Sequence, residues 1–175
     1  LDRSSAASDV YKRQRLNLLG RMQFMGAHYT GGEDLTRLAG DAANNFIWST
    51  SYYMYDEGDR PGIQFVKKVG AQYSRKPDTI RSVHYTSGML AASIAIEALR
   101  RAKGDGSSAA MLRAITAMTG SQAFNPGFTV GPVTFSAKDH VGAETLRLLQ
   151  ADATGNFKAI TGPQRSAMFK LVHPN

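Results

Sequence analysis

The chain has no cysteine among its 175 residues. That absence removes disulfides, thiolate nucleophiles, CxxC redox chemistry and cysteine zinc sites together, while leaving the compartment open. No stretch approaches the roughly 18 consecutive apolar residues that a membrane-spanning helix needs. The opening residues Leu1-Asp2-Arg3-Ser4-Ser5 run into further polar residues where a signal peptide would require an apolar region. There is no internal repeat and no low-complexity tract. At 42% hydrophobic content the chain is long enough for one sizeable core and short for two.

What is present begins with charge. The formal balance is +7, but the cations are scattered, in pairs such as Lys67-Lys68 and Arg100-Arg101. Neither pair lies in an aromatic RNA-binding strand or a basic arm, so no nucleic-acid partner is expected. The segment Asp9-Val10-Tyr11-Lys12-Arg13-Gln14 resembles the translation of a transposase adapter used in sequencing libraries. Residues 1–14 are therefore expected to be a disordered read-through scar, and the missing signal then says nothing about location.

Periodicity predicts the elements. Residues 21–27 read as a buried strand ending in the loop His28-Tyr29-Thr30-Gly31-Gly32. Leu35, Leu38, Ala39, Ala42 and Phe46 recur at helical spacing, with Thr30 and Glu33 placed as a capping box. Residues 46–55, rich in aromatic and β-branched side chains, predict a strand. Pro61 opens a helix that Lys76-Pro77 stops. Residues 84–103 predict a mostly buried helix ended by Gly104-Asp105-Gly106, and Ser107-Ser108 caps another. After Asn125-Pro126-Gly127 the period becomes two through Phe128, Val130, Val133 and Phe135, then Leu146 and Leu148. The tail from Asp152 to Ile160 reads as a turn and a strand, giving a β-rich C-terminal third with a hairpin. The order is an α/β chain, and its three successive helices suggest that it leaves one sheet, covers another and returns.

Several of these stretches resemble, in order, the leucine/isoleucine/valine-binding branch of the type I periplasmic substrate-binding proteins of ABC importers. Phe24-Met25-Gly26 with Ala39-Gly40-Asp41-Ala42-Ala43 is similar to the loop-helix segment of that family's C-terminal lobe. Val83 to Met89 running into Ala95-Ile96-Glu97-Ala98-Leu99 is similar to a long helix of the N-terminal lobe. Gly131-Pro132-Val133-Thr134-Phe135, Asp139-His140 and Leu149-Gln150-Ala151-Asp152 resemble the closing strands. The resemblance implies a type I periplasmic-binding-protein fold, two Rossmann-like lobes with a hinge, here incomplete and covering only the C-terminal part. Residues 15–55 would end the C-terminal lobe, 56–135 would be the second part of the N-terminal lobe, and 136–175 the closing strands and tail. It also implies a periplasmic or lipoprotein location, a membrane ABC permease as partner, an amino acid, amide or carboxylate as solute, no cofactor and no catalysis. A ligand-sensing receptor domain of the same fold is the alternative.

The candidate ligand-binding residues are His28, Tyr29 and Thr30, because solutes of open α/β sheets bind outside the carboxyl ends of strands. Aligned to the branched-chain binders, His28 stands where an acidic residue meets the ligand's ammonium. A histidine can donate where a carboxylate cannot, so the expected solute is an amide, a carboxylate or an aromatic acid. A solvated loop histidine is the equal alternative for His28, and helix capping the better one for Thr30. Trp48, Tyr52 and Tyr53 suit core packing more than an aromatic wall, and Tyr85 suits burial near a hinge. Enzyme chemistry finds no constellation: Gly31-Gly32-Glu33-Asp34 matches a cyclase signature only superficially, and 84–88 is no nucleophile elbow. Asp139, His140 and Glu144 have no metal-site spacing and read as a turn of solvated charges.

Overall fold

The computed structural model describes residues 12, 15–18 and 20–165, so most of the expected scar at 1–14 lies outside the described residues. Ile47-Trp48-Ser49-Thr50 alternates side chains about a pleat and forms strand β2 (Ile47–Thr50) with every second residue buried. It runs parallel to the two-residue β1 (Met25–Gly26) and antiparallel to β3 (Thr145–Ala151), which turns through Asp152-Ala153-Thr154-Gly155-Asn156 into the antiparallel β4 (Phe157–Ala159). A short β5 (Gln164–Arg165) pairs with the start of β3. The sheet order is β1-β2-β3-β4.

Contact density divides the chain into two units, one of residues 1–50 and 147–162, the other of 51–146 and 163–175. The chain therefore passes between units three times, at 50/51, 146/147 and 162/163. In the first unit, β1 leads into a 3-10 turn (His28–Thr30), helix α1 (Glu33–Ala39) and a second 3-10 turn (Gly40–Ala43) before β2. Its core is Leu35, Ala42, Ala43, Phe46, Trp48, Leu149 and Ala151.

The second unit carries the helices α2 (Pro61–Tyr73), α3 (Val83–Arg101) and α4 (Ser108–Thr116). Pro61 sits in the first turn of α2, where its missing N–H costs nothing. Ser82 and Ser107 cap α3 and α4 by accepting from the N–H groups of His84 and Ala110. Ala98, Ala114 and Met118 form a core between α3 and α4, with Met111, Ile115, Phe124 and Phe135 packed against it. At the start of α2, Gly62 lies so close to the backbone of Gly127 that a Cβ would fall 2.1 Å from the Gly127 carbonyl carbon.

Four expectations are corrected. The strand predicted over 21–27 shrinks to Met25–Gly26, and Met25 is 61% exposed because β1 is an edge strand. The helix predicted through Phe46 ends at Ala39, where Gly40 takes a positive φ of 54° that a side chain would resist. Helix α3 is not mostly buried: Val83, Thr86, Leu90 and Ala98 face inward while Ile96 is 68% exposed. The alternation at 128–135 makes only isolated bridges, Tyr52 to Thr129 and Phe124 to Val133, since neither run finds a continuous partner.

Candidate functional site

The site is built at the carboxyl end of β1. Gly26 ends the strand, and a Cβ there would overlap Thr30 Oγ1 and the Phe46 ring, so glycine is what allows the chain to fold back at once into the His28–Thr30 turn. Thr30 Oγ1 donates to the Ala27 carbonyl at 2.8 Å and its amide donates to the same oxygen. The capping box predicted from Thr30 and Glu33 is not formed. Gly32 is the N-cap of α1, at φ 122°, and no side chain caps it. Thr30 therefore stiffens its own turn and does not start the helix.

His28 is held from behind. The Trp48 indole N–H donates to the His28 carbonyl at 3.0 Å, and the two rings stack at 6.4 Å with 19° between planes. Gly31 lies flat on the indole, with a Cβ position only 2.1 Å from Trp48 Cγ. Phe157 of β4 tilts against the same indole at 5.3 Å. Tyr29 packs edge-on to His28 at 5.1 Å and is otherwise 87% exposed. The result is a half-buried imidazole on a rigid aromatic base, with a phenol standing free in solvent beside it. A phenol on a fixed backbone offers stacking area and a hydroxyl at little entropic cost.

Trp48 is fully buried and Tyr52 nearly so, which agrees with core packing. Tyr53 lies in the second unit under the Arg60 guanidinium, 3.5 Å from its ring centroid. Tyr85 is half-buried on α3. The turn of solvated charges expected at 139–144 is corrected: the Glu144 side chain is buried and ion-paired to Arg165. Burial pushes its carboxyl above the usual range, while Arg165 pulls the other way. Glu144 lines a cavity of about 530 Å³ in the second unit with Thr134, Phe135, Ser136, Asp139 and Arg165. This cavity is remote from 28–30 in sequence, and two of its charges, Glu144 and Arg165, pair with each other. Among the described residues no cluster of three or more potential metal ligands occurs, and no helix is long and apolar enough to cross a membrane.

Sequence reasoning missed Gly31 and Arg147. The sequence reading places Gly31 in a loop, though Gly-Gly after a strand and before a helix signals close backbone approach. Arg147 is buried on the core side of β3. The period-two run around Leu146 and Leu148 contains it, and a charge within such a run was the signal available.

The family model described as periplasmic binding protein matches residues 9–156. A branched chain amino acid ABC transporter protein from Thermus thermophilus, solved with bound valine, is 46% identical, with a TM-score of 0.84, over 97% of this chain and 45% of that one. A substrate-binding periplasmic protein from Ralstonia solanacearum is 23% identical over 88% of this chain and 42% of its own, TM-score 0.69. A possible leucine/isoleucine/valine-binding protein from Rhodopirellula baltica is 20% identical over 84% and 38%, TM-score 0.67. The last two show likeness of fold alone. This chain spans less than half the length of each of these structures. No curated protein matches it.

Proposed function

Because the chain belongs to the periplasmic binding protein family and shares its fold, we propose that its parent protein is the extracytoplasmic solute-binding subunit of an ABC importer. Its solute is an amino acid or a related small amide or carboxylate. The observation that carries this reading is the 46% identity, sustained over almost the whole chain, to a branched chain amino acid transporter protein solved with valine. The local geometry is consistent with binding: His28 and Tyr29 are presented at a strand's carboxyl end on the Trp48 indole. In this reading residues 15–55 end the family's C-terminal lobe, 56–135 are the second part of its N-terminal lobe, and 136–175 are the closing strands and tail. The two-lobed parent works by closing on the solute at its hinge, with a higher affinity in the closed state that a permease recognises. His28, Tyr29 and Thr30 form the part of the solute wall that this chain supplies.

The test is a thermal-shift and calorimetric screen of the full-length parent. The panel is L-leucine, L-valine, L-phenylalanine and L-glutamate, isobutyramide, butyrate and succinate, and benzoate and phenylacetate. A bound solute at a hundredfold excess over its dissociation constant raises stability by about 2.7 kcal/mol. A concentration-dependent shift with one class supports the reading and names the class. Flat melting across the panel refutes an amino-acid or carboxylate solute.

A further inference from the structure

Helix α3 is apolar on two opposite sides. Val83, Thr86, Leu90 and Ala98 are buried, and Ala98 packs with Ala114 and Met118. On the other side Gly88, Ala91, Ala92, Ala95, Ile96 and Leu99 recur three and four residues apart and are exposed, Ile96 at 68% and Leu99 at 41%. No member of this row is polar or charged. A helix at a water boundary turns polar residues outward, and one that is apolar all round belongs to an interior.

Gly88 adds a second, independent observation. Among the described residues three glycines lie inside α-helices, Gly62 and Gly70 in α2 and Gly88 in α3. A Cβ at Gly62 would fall 2.1 Å from the Gly127 carbonyl carbon, and one at Gly70 would fall 2.8 Å from Ile80 Cγ2. A neighbour within the chain therefore excludes a side chain at each. At Gly88 a Cβ would meet nothing within 4 Å. Glycine weakens a helix relative to alanine, and no packing within the chain calls for it here.

The size of the row and the length of the relative decide what covers it. From 88 to 99 the row is about 16 Å long and roughly one helix, about 10 Å, wide. That area is far short of the about 800 Å² per partner that a stable complex of two molecules buries. A segment of the same polypeptide can close on so small a face without the entropy lost in bringing two molecules together. This chain aligns with 45% of the Thermus thermophilus structure, so a parent of that length has more than half of its residues elsewhere. The second unit itself holds no run of strand longer than two residues, and a helix layer is stable only against another layer.

We infer that the outer face of α3 is an internal docking surface, covered in the parent by an apolar face of the polypeptide that lies outside these 175 residues. Ile96 and Leu99 are its anchors, and Gly88, Ala91 and Ala92 let the covering layer approach the helix backbone closely. The inference does not depend on the identity of the solute.

The test is the rate at which iodoacetamide modifies the Ile96→Cys thiol in the full-length parent, read by the mass of the peptide carrying position 96 and compared with the same protein unfolded in guanidinium. Modification should be slowed about a hundredfold or more, equally at nanomolar and micromolar protein. Leu99→Cys repeats the measurement at the other anchor, so that one destabilised variant does not decide the result. In the 175-residue chain the Ile96→Cys thiol should react within about tenfold of its unfolded rate, while Val66→Cys, in α2 and 1% exposed in the wild type, stays protected. Fast modification of both variants in the parent overturns the inference. Protection that disappears on dilution overturns it in favour of a second copy. Equal protection of Ile96→Cys in the chain and in the parent overturns it as well, because the cover then lies within these 175 residues.

Discussion

The sheet face around Trp48 and the outer face of α3 treat apolar side chains in opposite ways. On the sheet, Trp48, Thr50, Leu149 and Ala151 are sealed, Gly31 and Phe157 close over the indole, and the one charge present is buried with them. On α3, Gly88, Ala91, Ala92, Ala95, Ile96 and Leu99 recur at helical spacing and face water. Both stretches carry the periodicity of a core-forming element. Periodicity therefore specifies which side chains form a face, and only the surroundings decide whether that face is covered.

The sharpest way to break the comparison is to open the sealed face. Leu149→Ala removes a side chain that is 1% exposed and partnered with Trp48, and should cost about 2–5 kcal/mol. The single tryptophan is Trp48, so its fluorescence during urea unfolding reports the first unit directly. A loss under about 1 kcal/mol would show that this face is not packed as described. Next in size is Gly31→Ala. The backbone at Gly31 is extended, at φ −122°, so the penalty is purely the collision of the new methyl with the indole. Displacing the ring should cost about 1–3 kcal/mol, shift the Trp48 emission to the red and weaken solute binding through His28. An unchanged spectrum would mean the turn does not rest on Trp48.

How far the sequence made this legible follows from the same contrast. The helices α2, α3 and α4, the proline start of α2, the serine start of α4 and the β3–β4 hairpin are readable, because caps, turns and periodicity act within a few residues. Residues 21–27 misled because an apolar run cannot reveal that its strand is at an edge with Met25 outward. Thr30 misled for a different reason: its hydroxyl had a nearer acceptor, the Ala27 carbonyl, than the helix it seemed to cap. His28 and Tyr29 follow the carboxyl end of β1, as the sequence predicts, yet the support of their turn comes from Trp48, twenty residues away. Nothing local announces an indole donating to the His28 carbonyl. Arg147 was passed over because it sat inside a run read only for its apolar members.

A smaller effect separates the inner from the outer edge of α3. Glu97 accepts from Arg100 and from Arg101, at 2.8 and 2.7 Å. These hydrogen bonds, Arg100's first, hold its carboxyl at about 2, below the usual 4.5. A depressed carboxylate stabilises the fold fully above its unfolded value and loses that contribution as pH falls through its folded one. Glu97→Gln should therefore cost about 0.5–1 kcal/mol at pH 7, read from the helical circular dichroism signal of the second unit. The gap to wild type should shrink as pH drops from about 4.5 toward 2. A gap that persisted unchanged at pH 2 would assign the cost to packing and not to charge.

The smallest expected effect tests the exposed face itself. Ile96 is 68% exposed, so Ile96→Ser removes apolar area that the chain does not bury and should change its stability by no more than about 0.5 kcal/mol. The consequence should appear in association instead. A stripe of Ala92, Ala95, Ile96 and Leu99 in water favours contact with any other apolar surface, including a second copy, and serine at 96 and 99 together should lower the sedimentation coefficient measured at high concentration. A destabilisation above about 1.5 kcal/mol would mean that Ile96 is covered within the chain, and the contrast between a sealed sheet and an open helix face would not hold. A small change with reduced association would sharpen it: the same helical periodicity that buries Leu90 and Ala98 then leaves the opposite side of α3 as surface still able to bury apolar area.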